Sequence, residues 1–105
     1  MNKNYKRGYD AERRAVMDLR AKGYIACRSA GSHGIFDVWA FNHNKLILIQ
    51  IKREKHPTAF EKYFLIAKEI SKVRAPRCSE KWLWVWHDKQ GWKKYRIKGK
   101  ELIIM

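Results

Sequence analysis

A chain of 105 residues that is 46% hydrophobic suffices for one small packed domain spanning 1–105, and no apolar run approaches the ~20 residues of a membrane span. Its 24 Lys and Arg against 10 Asp and Glu leave a net charge of +14, spread along the chain rather than gathered in a tail; this predicts a folded domain with a basic face for a polyanion, nucleic acid first. Cys27 and Cys78 are too few for a disulfide framework and have no zinc-type spacing, and the polar, basic start MNKNYKRGYDAERR carries no apolar signal segment, so reduced, buried thiols in a cytoplasmic protein are expected.

In chain order, the spacing predicts a helix from Asp10 to Lys22 with Ala11, Ala15, Val16 and Leu19 as its apolar stripe and Gly23 as its stop. Tyr24 to Arg28 reads as a short strand, and Ser29 to Gly34 as a loop with two glycines. Ile35 to Phe41 and Leu46 to Lys52 read as hairpin strands joined by the polar turn Asn42-His43-Asn44-Lys45. Leu46 to Ile51 is apolar on both faces apart from Gln50, which places it in the middle of a sheet covered on both sides. A second helix is expected near Thr58, where Thr58-Ala59-Phe60-Glu61 fits a capping box. Phe60, Phe64, Ala67 and Ile70 form its apolar face, and Pro76 marks the exit. Lys81 to His87 and Trp92 to Ile97 form another strand pair across Asp88-Lys89-Gln90-Gly91, with Leu102 to Ile104 as a short last strand. The order is α-β-β-β-α-β-β, an α/β class with a central mixed sheet flanked by helices.

The hairpin carries Asp37, Gln50 and Lys52 where core strands favour apolar residues, and burying such groups without partners is costly. A symmetric four-residue turn sets Phe41 against Leu46, Trp39 against Leu48 and Asp37 against Gln50, with opposed Cβ atoms about 4.5–5.5 Å apart. Asp37 and Gln50 then hold one small cation between their oxygens, with Lys52 at the rim of the same face. Glu12 shares the inner helical face with Ala15, Val16 and Leu19, so its carboxylate joins them. The chemistry these residues suggest is phosphodiester hydrolysis assisted by Mg²⁺, with Mn²⁺ able to substitute: the Ile51 carbonyl or Gln50 amide oxygen completes the coordination, and Lys52 orients the attacking water or neutralises developing charge. A neutral amide at Gln50 predicts weaker metal affinity than an acid.

In the loop before Asp37, Ser29 and Ser32 can donate to phosphate oxygens and His33 can transfer a proton. Lys6, Arg7, Arg13, Arg14, Arg28, Arg53 and Lys55, together with Lys72, Arg74 and Arg77, are phosphate-contact candidates, implying salt-sensitive binding with little sequence information. Trp82, Trp84 and Trp86 alternate along one strand face; base stacking is one reading, and packing against a helix or a partner subunit is the preferred one. So aromatic a strand on so short a chain also suggests a homodimer.

Gly8-x-x-x-Glu12-Arg13, Gly23-Tyr24, Arg28-Ser29-Ala30-Gly31-Ser32, Asp37-Val38-x-Ala40 and Ile49-Gln50-Ile51-Lys52, in this order and spacing, resemble the archaeal Holliday junction resolvase family of the PD-(D/E)xK nuclease superfamily. The likeness covers about the first half of the chain. It implies a restriction-endonuclease-like fold and a homodimeric, Mg²⁺-dependent endonuclease that recognises four-way DNA junctions by shape and cuts two strands symmetrically. By the same resemblance, Glu12 and Asp37 are metal-site acids, Gln50 stands at the second acid position, Lys52 is the motif lysine, and Ser29 or Ser32 matches the serine of a mobile catalytic loop. Phe36 replaces the motif proline, Gln50 replaces the usual acid in a Q-x-K variant, and the chain is short for a cellular resolvase, as a virus- or plasmid-borne version would be. The alternatives are a nuclease of this superfamily for flaps, overhangs or foreign duplex, and a catalytically inactive DNA-binding module of the same fold. An RNA-associated basic protein stands third, because it gives no reason for Glu12, Asp37 and Lys52 to coincide.

Overall fold

The computed structural model describes residues 3–29, 35–54, 61–99 and 101–105, with side chains described from residue 9 onward and, in the second helix, from residue 62. Its elements are α1 (Lys3–Ala21), β1 (Ile25–Arg28), β2 (Val38–Phe41), β3 (Leu46–Glu54), α2 (Glu61–Ser71), β4 (Ser79–His87), β5 (Gly91–Lys98) and β6 (Glu101–Ile104). The strands form one six-stranded sheet in the order β1-β2-β3-β4-β5-β6. Every neighbouring pair is antiparallel except β3–β4, which is parallel and needs the crossover that α2 supplies. The sheet is therefore mixed, as the sequence predicts.

Each helix covers one face. Ala11, Ala15, Val16 and Leu19 of α1 pack with Ala26, Val38, Ala40, Ile47, Ile49 and Ile51, and with Trp82 and Trp84 of β4. The alanines let the helix approach the strands closely. The intervening β4 residues Leu83 and Val85 point the other way, into a second cluster with Tyr63, Ala67 and Ile70 of α2 and Tyr95 and Ile97 of β5. Successive β4 side chains thus feed both layers, which is why this strand reads as almost continuously apolar. Among the described residues no helix is long and apolar enough to cross a membrane.

Several boundaries differ from the sequence expectation. The first helix begins at Lys3 rather than Asp10, because nothing in that polar stretch breaks a helix already anchored by its packed turns. It stops as expected: Gly23 takes φ 94°, and Gly23 and Tyr24 donate their N–H groups to Arg20 and Leu19 carbonyls. The hairpin register is as expected where it is regular, with Phe41 opposite Leu46 and Trp39 opposite Leu48. The Asn42 side chain ties the turn by accepting from the N–H groups of Asn44 and Lys45 at 2.8 and 3.0 Å.

The ladder does not continue to Asp37. The strand starts at Val38 rather than Ile35, and the Asp37 N–H donates to the Ile49 carbonyl at 2.9 Å, one residue off the register that would set it against Gln50. Ile35 and Phe36 instead turn into the α2-side cluster. On α2 the buried face is Tyr63, Ala67 and Ile70, and Phe64 is 46% exposed; the predicted stripe through Phe64 is rotated by one residue, because Tyr63 takes the inward position one turn before Ala67. The capping box at Thr58 and Phe60 lies outside the described residues. The thiols are unpaired as expected, but neither is buried: Cys27 is half-buried and Cys78 exposed in the turn before β4.

Candidate active site

The site lies where β2 and β3 part. Because the Asp37 backbone has left the ladder, its carboxylate fills the gap: Oδ2 accepts the Ile51 N–H at 2.9 Å. The Ser29 N–H donates to the Asp37 carbonyl at 2.8 Å, which pins the residue from the β1 side. Asp37 is thus fixed at its backbone N–H, its carbonyl and its side chain. A carboxylate held this way has little freedom to leave the strand junction.

Glu12 approaches the same point from α1. Arg28, whose partner in the β1–β2 ladder is Val38, faces the α1 layer and donates to Glu12 Oε2 from Nε at 3.3 Å and Nη2 at 3.1 Å. Its guanidinium also stacks on the Tyr9 ring at 4.2 Å. The Glu12 and Asp37 carboxyls lie close enough to repel each other when both are charged and to share a hydrogen bond when one is protonated. Burial raises the pKa of both. For Glu12 the Arg28 hydrogen bond works against that rise and the Asp37 charge adds to it. For Asp37 the Ile51 N–H and the nearby Lys52 and Arg28 charges pull the other way without overcoming burial. The result is an acid pair whose second negative charge is held at a cost, a setting that favours a proton or a small cation between the oxygens.

The fold therefore brings Glu12, Asp37, Lys52 and Arg28 together. Gln50 shares its β3 face with Lys52, whereas the Ile51 side chain is buried toward α1 and its N–H is committed to Asp37. Among the described residues no three His, Cys, Asp or Glu side chains gather into a metal-binding group. Any cation here would depend on two carboxylates supplemented by neutral oxygens. Those donors suit Mg²⁺, which takes few protein oxygens and keeps several waters.

The other sequence candidates fall in different places. Ser29 is half-buried just beyond β1. Ser32, His33 and Lys55 lie outside the described residues, as do the side chains of Lys6 and Arg7. Arg13 and Arg14 are exposed on α1 beside Glu12, and the Arg14 guanidinium rests on the Trp86 ring at 4.4 Å. Arg53 pairs with Asp88 across the β3–β4 end at 2.9 Å. Sequence reasoning assigned Arg28 to phosphate and missed its bond to Glu12. The signal was present: Ala26 and Arg28 share strand parity, and Ala26 is a natural core residue against the helix that carries Glu12.

Comparison with known proteins identifies the family and the fold. The family model for archaeal Holliday junction resolvase (Hjc) matches residues 3–98. Among solved structures, Archaeoglobus fulgidus Hjc, described as a Holliday junction resolvase from an archaeal hyperthermophile, superposes with a TM-score of 0.63 at 18% identity, over 87% of this chain and 73% of that one. At that identity the likeness shows the fold, a restriction-endonuclease-like α/β architecture.

Proposed function

Since the chain belongs to the archaeal Holliday junction resolvase family, a family of DNA endonucleases, we propose that it forms a single nuclease domain that binds four-way DNA junctions and cuts them as a Mg²⁺-dependent homodimer. The observation that carries the reading is the convergence of Glu12, Asp37 and Lys52 at the β2–β3 divergence, with both carboxyls raised by burial. An oxygen-only donor set on a chain of net charge +14 fits a hard cation brought together with a polyanion.

Glu12, Asp37 and the Gln50 amide oxygen would hold the ion, with a backbone carbonyl near Ile51 as a further donor. When bound, the ion lowers the pKa of a water and stabilises charge on the phosphoryl oxygens. Lys52 neutralises the charge that develops as the phosphodiester is attacked. Asp37, fixed by Ile51 and Ser29, sets the position of the reacting phosphate relative to Lys52. Arg28 keeps Glu12 turned toward Asp37. Arg13 and Arg14 on α1 and Arg53 on β3 contact neighbouring phosphates, and Ser29, Ser32, His33, Lys6, Arg7 and Lys55 are the remaining candidate contacts.

The homodimer would set two sites against opposing strands. Apolar surface on the α2 side supports it, since Phe64 and Leu65 of α2 are 46% and 69% exposed and Ile104, beside Tyr95, is 77% exposed. Two copies each carrying a large positive charge can approach most closely where charge is sparse.

A catalytically inactive DNA-binding module is the second reading, favoured by Gln50 in the acid position. The deciding experiment is cleavage of a labelled four-way junction with Mg²⁺ or Mn²⁺ beside linear duplex and flap controls, with Asp37→Asn in parallel. Paired nicks in the junction alone, reduced about a hundredfold or more in Asp37→Asn, are expected. Cutting of every branched substrate would point to a broader nuclease, and tight binding with no cutting under either metal would point to the inactive module.

A further inference from the structure

The tryptophans that alternate along β4 are not equivalent. Trp82 and Trp84 are 5% and 1% exposed within the α1-side core, stacked on each other with ring centroids 5.8 Å apart, and neither can admit another ring. Trp86, two residues on, is half-buried and walls a cavity of about 430 Å³ beside α1. That volume falls in the ~300–1,000 Å³ range of small-ligand sites. Arg13, Arg14 and Arg53 line the same cavity, with Asp10 and Asp18. Arg53 stands two residues beyond Ile51 on β3, so the cavity opens near the strand segment whose N–H holds Asp37, on the flank of α1 away from Glu12.

Its chemistry is that of a nucleotide rather than of a phosphate alone. Trp92 meets Trp86 in an edge-to-face contact, with ring centroids 5.1 Å apart at 76°, and fixes the indole from one side. Trp92 is held in turn by its Nε1–H bond to Asp18 at 2.9 Å. Against the braced Trp86 ring lies the Arg14 guanidinium at 4.4 Å, a flat cation occupying the stacking position. Arg14 is exposed, and its long side chain can swing aside at little cost. Asp10 offers an acceptor to an amino or imino hydrogen.

Resting on the nuclease reading above, we infer that this cavity takes one unpaired nucleotide of the substrate strand next to the scissile phosphate. Its base stacks on Trp86 in the place Arg14 now holds, and its phosphate is met by Arg13 and the released Arg14. Nucleotides at the crossover of a junction are the least costly to unstack, so such a subsite rewards branched DNA over duplex without reading sequence.

The test is a base-deletion scan. Junctions carrying a single abasic residue at successive positions around the crossover are titrated in EDTA against wild type, Trp86→Leu and Trp86→Phe. One position is expected at which base deletion weakens wild type and Trp86→Phe about tenfold and Trp86→Leu by less than twofold. Equal losses in wild type and Trp86→Leu at every position, or no sensitive position, would overturn the subsite while leaving junction cleavage intact. Equal wild-type affinity for junction and duplex would instead overturn junction selectivity; the same deletion series in a single-stranded oligonucleotide then decides the stacking site by the same criterion.

Discussion

The two faces of the sheet are built for different neighbours. On the α1 face a 19-residue helix lies over β1–β3, its inner stripe sealed against isoleucines and tryptophans, with charge at the edges of that packing, where Glu12 and Arg28 meet Asp37 and where Asp18 holds Trp92. On the α2 face an 11-residue helix lies against β4–β6 and leaves Phe64 and Leu65 in solvent. A candidate site at that rim would need an unmoving frame, since a shift of about 1 Å in reacting groups can cost a hundredfold in rate. The second face needs only enough packing to hold the crossover, and its spare apolar surface is free to meet another copy. The difference teaches that close apolar cover in this small chain is more complete under α1 than under α2.

That contrast can be broken most directly at Trp84. Trp84→Ala should cost about 3–5 kcal/mol, as for other large-to-small changes at buried aromatics, read as a shift in the urea midpoint. Trp84→Phe should cost far less, because the buried indole N–H has no hydrogen-bond partner and its loss removes an unsatisfied donor. Leu65→Asp on the other face should leave monomer stability within about 0.5 kcal/mol yet weaken self-association by about tenfold or more, measured by sedimentation across a concentration series. Equal stability losses at Trp84 and Leu65 would erase the distinction between the faces.

Much of the architecture was legible because periodicity and burial agree. The small stripe of α1 and the Asn42 turn each point to one solution, and the observed register of Trp39 with Leu48 follows. The apolar run of β3 instead predicts cover on both faces, whereas Ile47, Ile49 and Ile51 are buried under α1 and Leu46 and Leu48 are half-buried. The site was legible only by residue type. Glu12, Asp37 and Lys52 do converge, but strand parity set Asp37 against Gln50, whereas its backbone slips off the ladder so that the side chain can take the Ile51 N–H. A side chain that replaces a backbone partner leaves no trace in hydrophobic pattern. Phe64 misled for a related reason. Tyr63 and Phe64 both satisfy an apolar stripe, and only the sheet decides which faces inward. Arg28 shows a third limit: strand parity sets it on the α1 face with Ala26, but charge alone does not separate an arginine that pairs with a carboxylate, as Arg28, Arg53 and Arg96 do, from one that meets phosphate.

Gln50 offers a smaller adjustment at the candidate site. Gln50→Glu should lower the Mg²⁺ concentration for half-maximal cleavage several-fold, by adding a charged oxygen beside two that already favour a cation. It should also lower thermal stability in EDTA, by adding a third carboxylate to an acid pair whose charge burial already disfavours. Tighter metal use with unchanged metal-free stability would mean that residue 50 does not share the field of the acid pair.

The subtlest expected effect is the pH dependence of the metal-free protein. Burial raises Glu12 above its ordinary value of 4.5 and Asp37 above 3.8. An acid with a raised folded pKa favours folding most when protonated. The contribution is therefore fully present below the unfolded values and is lost as pH rises through the higher folded ones. Asp37→Asn removes one of the two charges while its amide oxygen can still accept the Ile51 N–H. In EDTA the variant should match wild type in acid and melt at a higher temperature than wild type at neutral pH, the gap opening through the raised carboxyl range. Mg²⁺ should close that gap by raising wild type alone, because only the ionised pair holds the cation. A wild type more stable than Asp37→Asn at neutral pH without metal would show that Arg28 and Lys52 already satisfy the pair. The acids would then be a structural ion-pair network and not a site held ready for a metal.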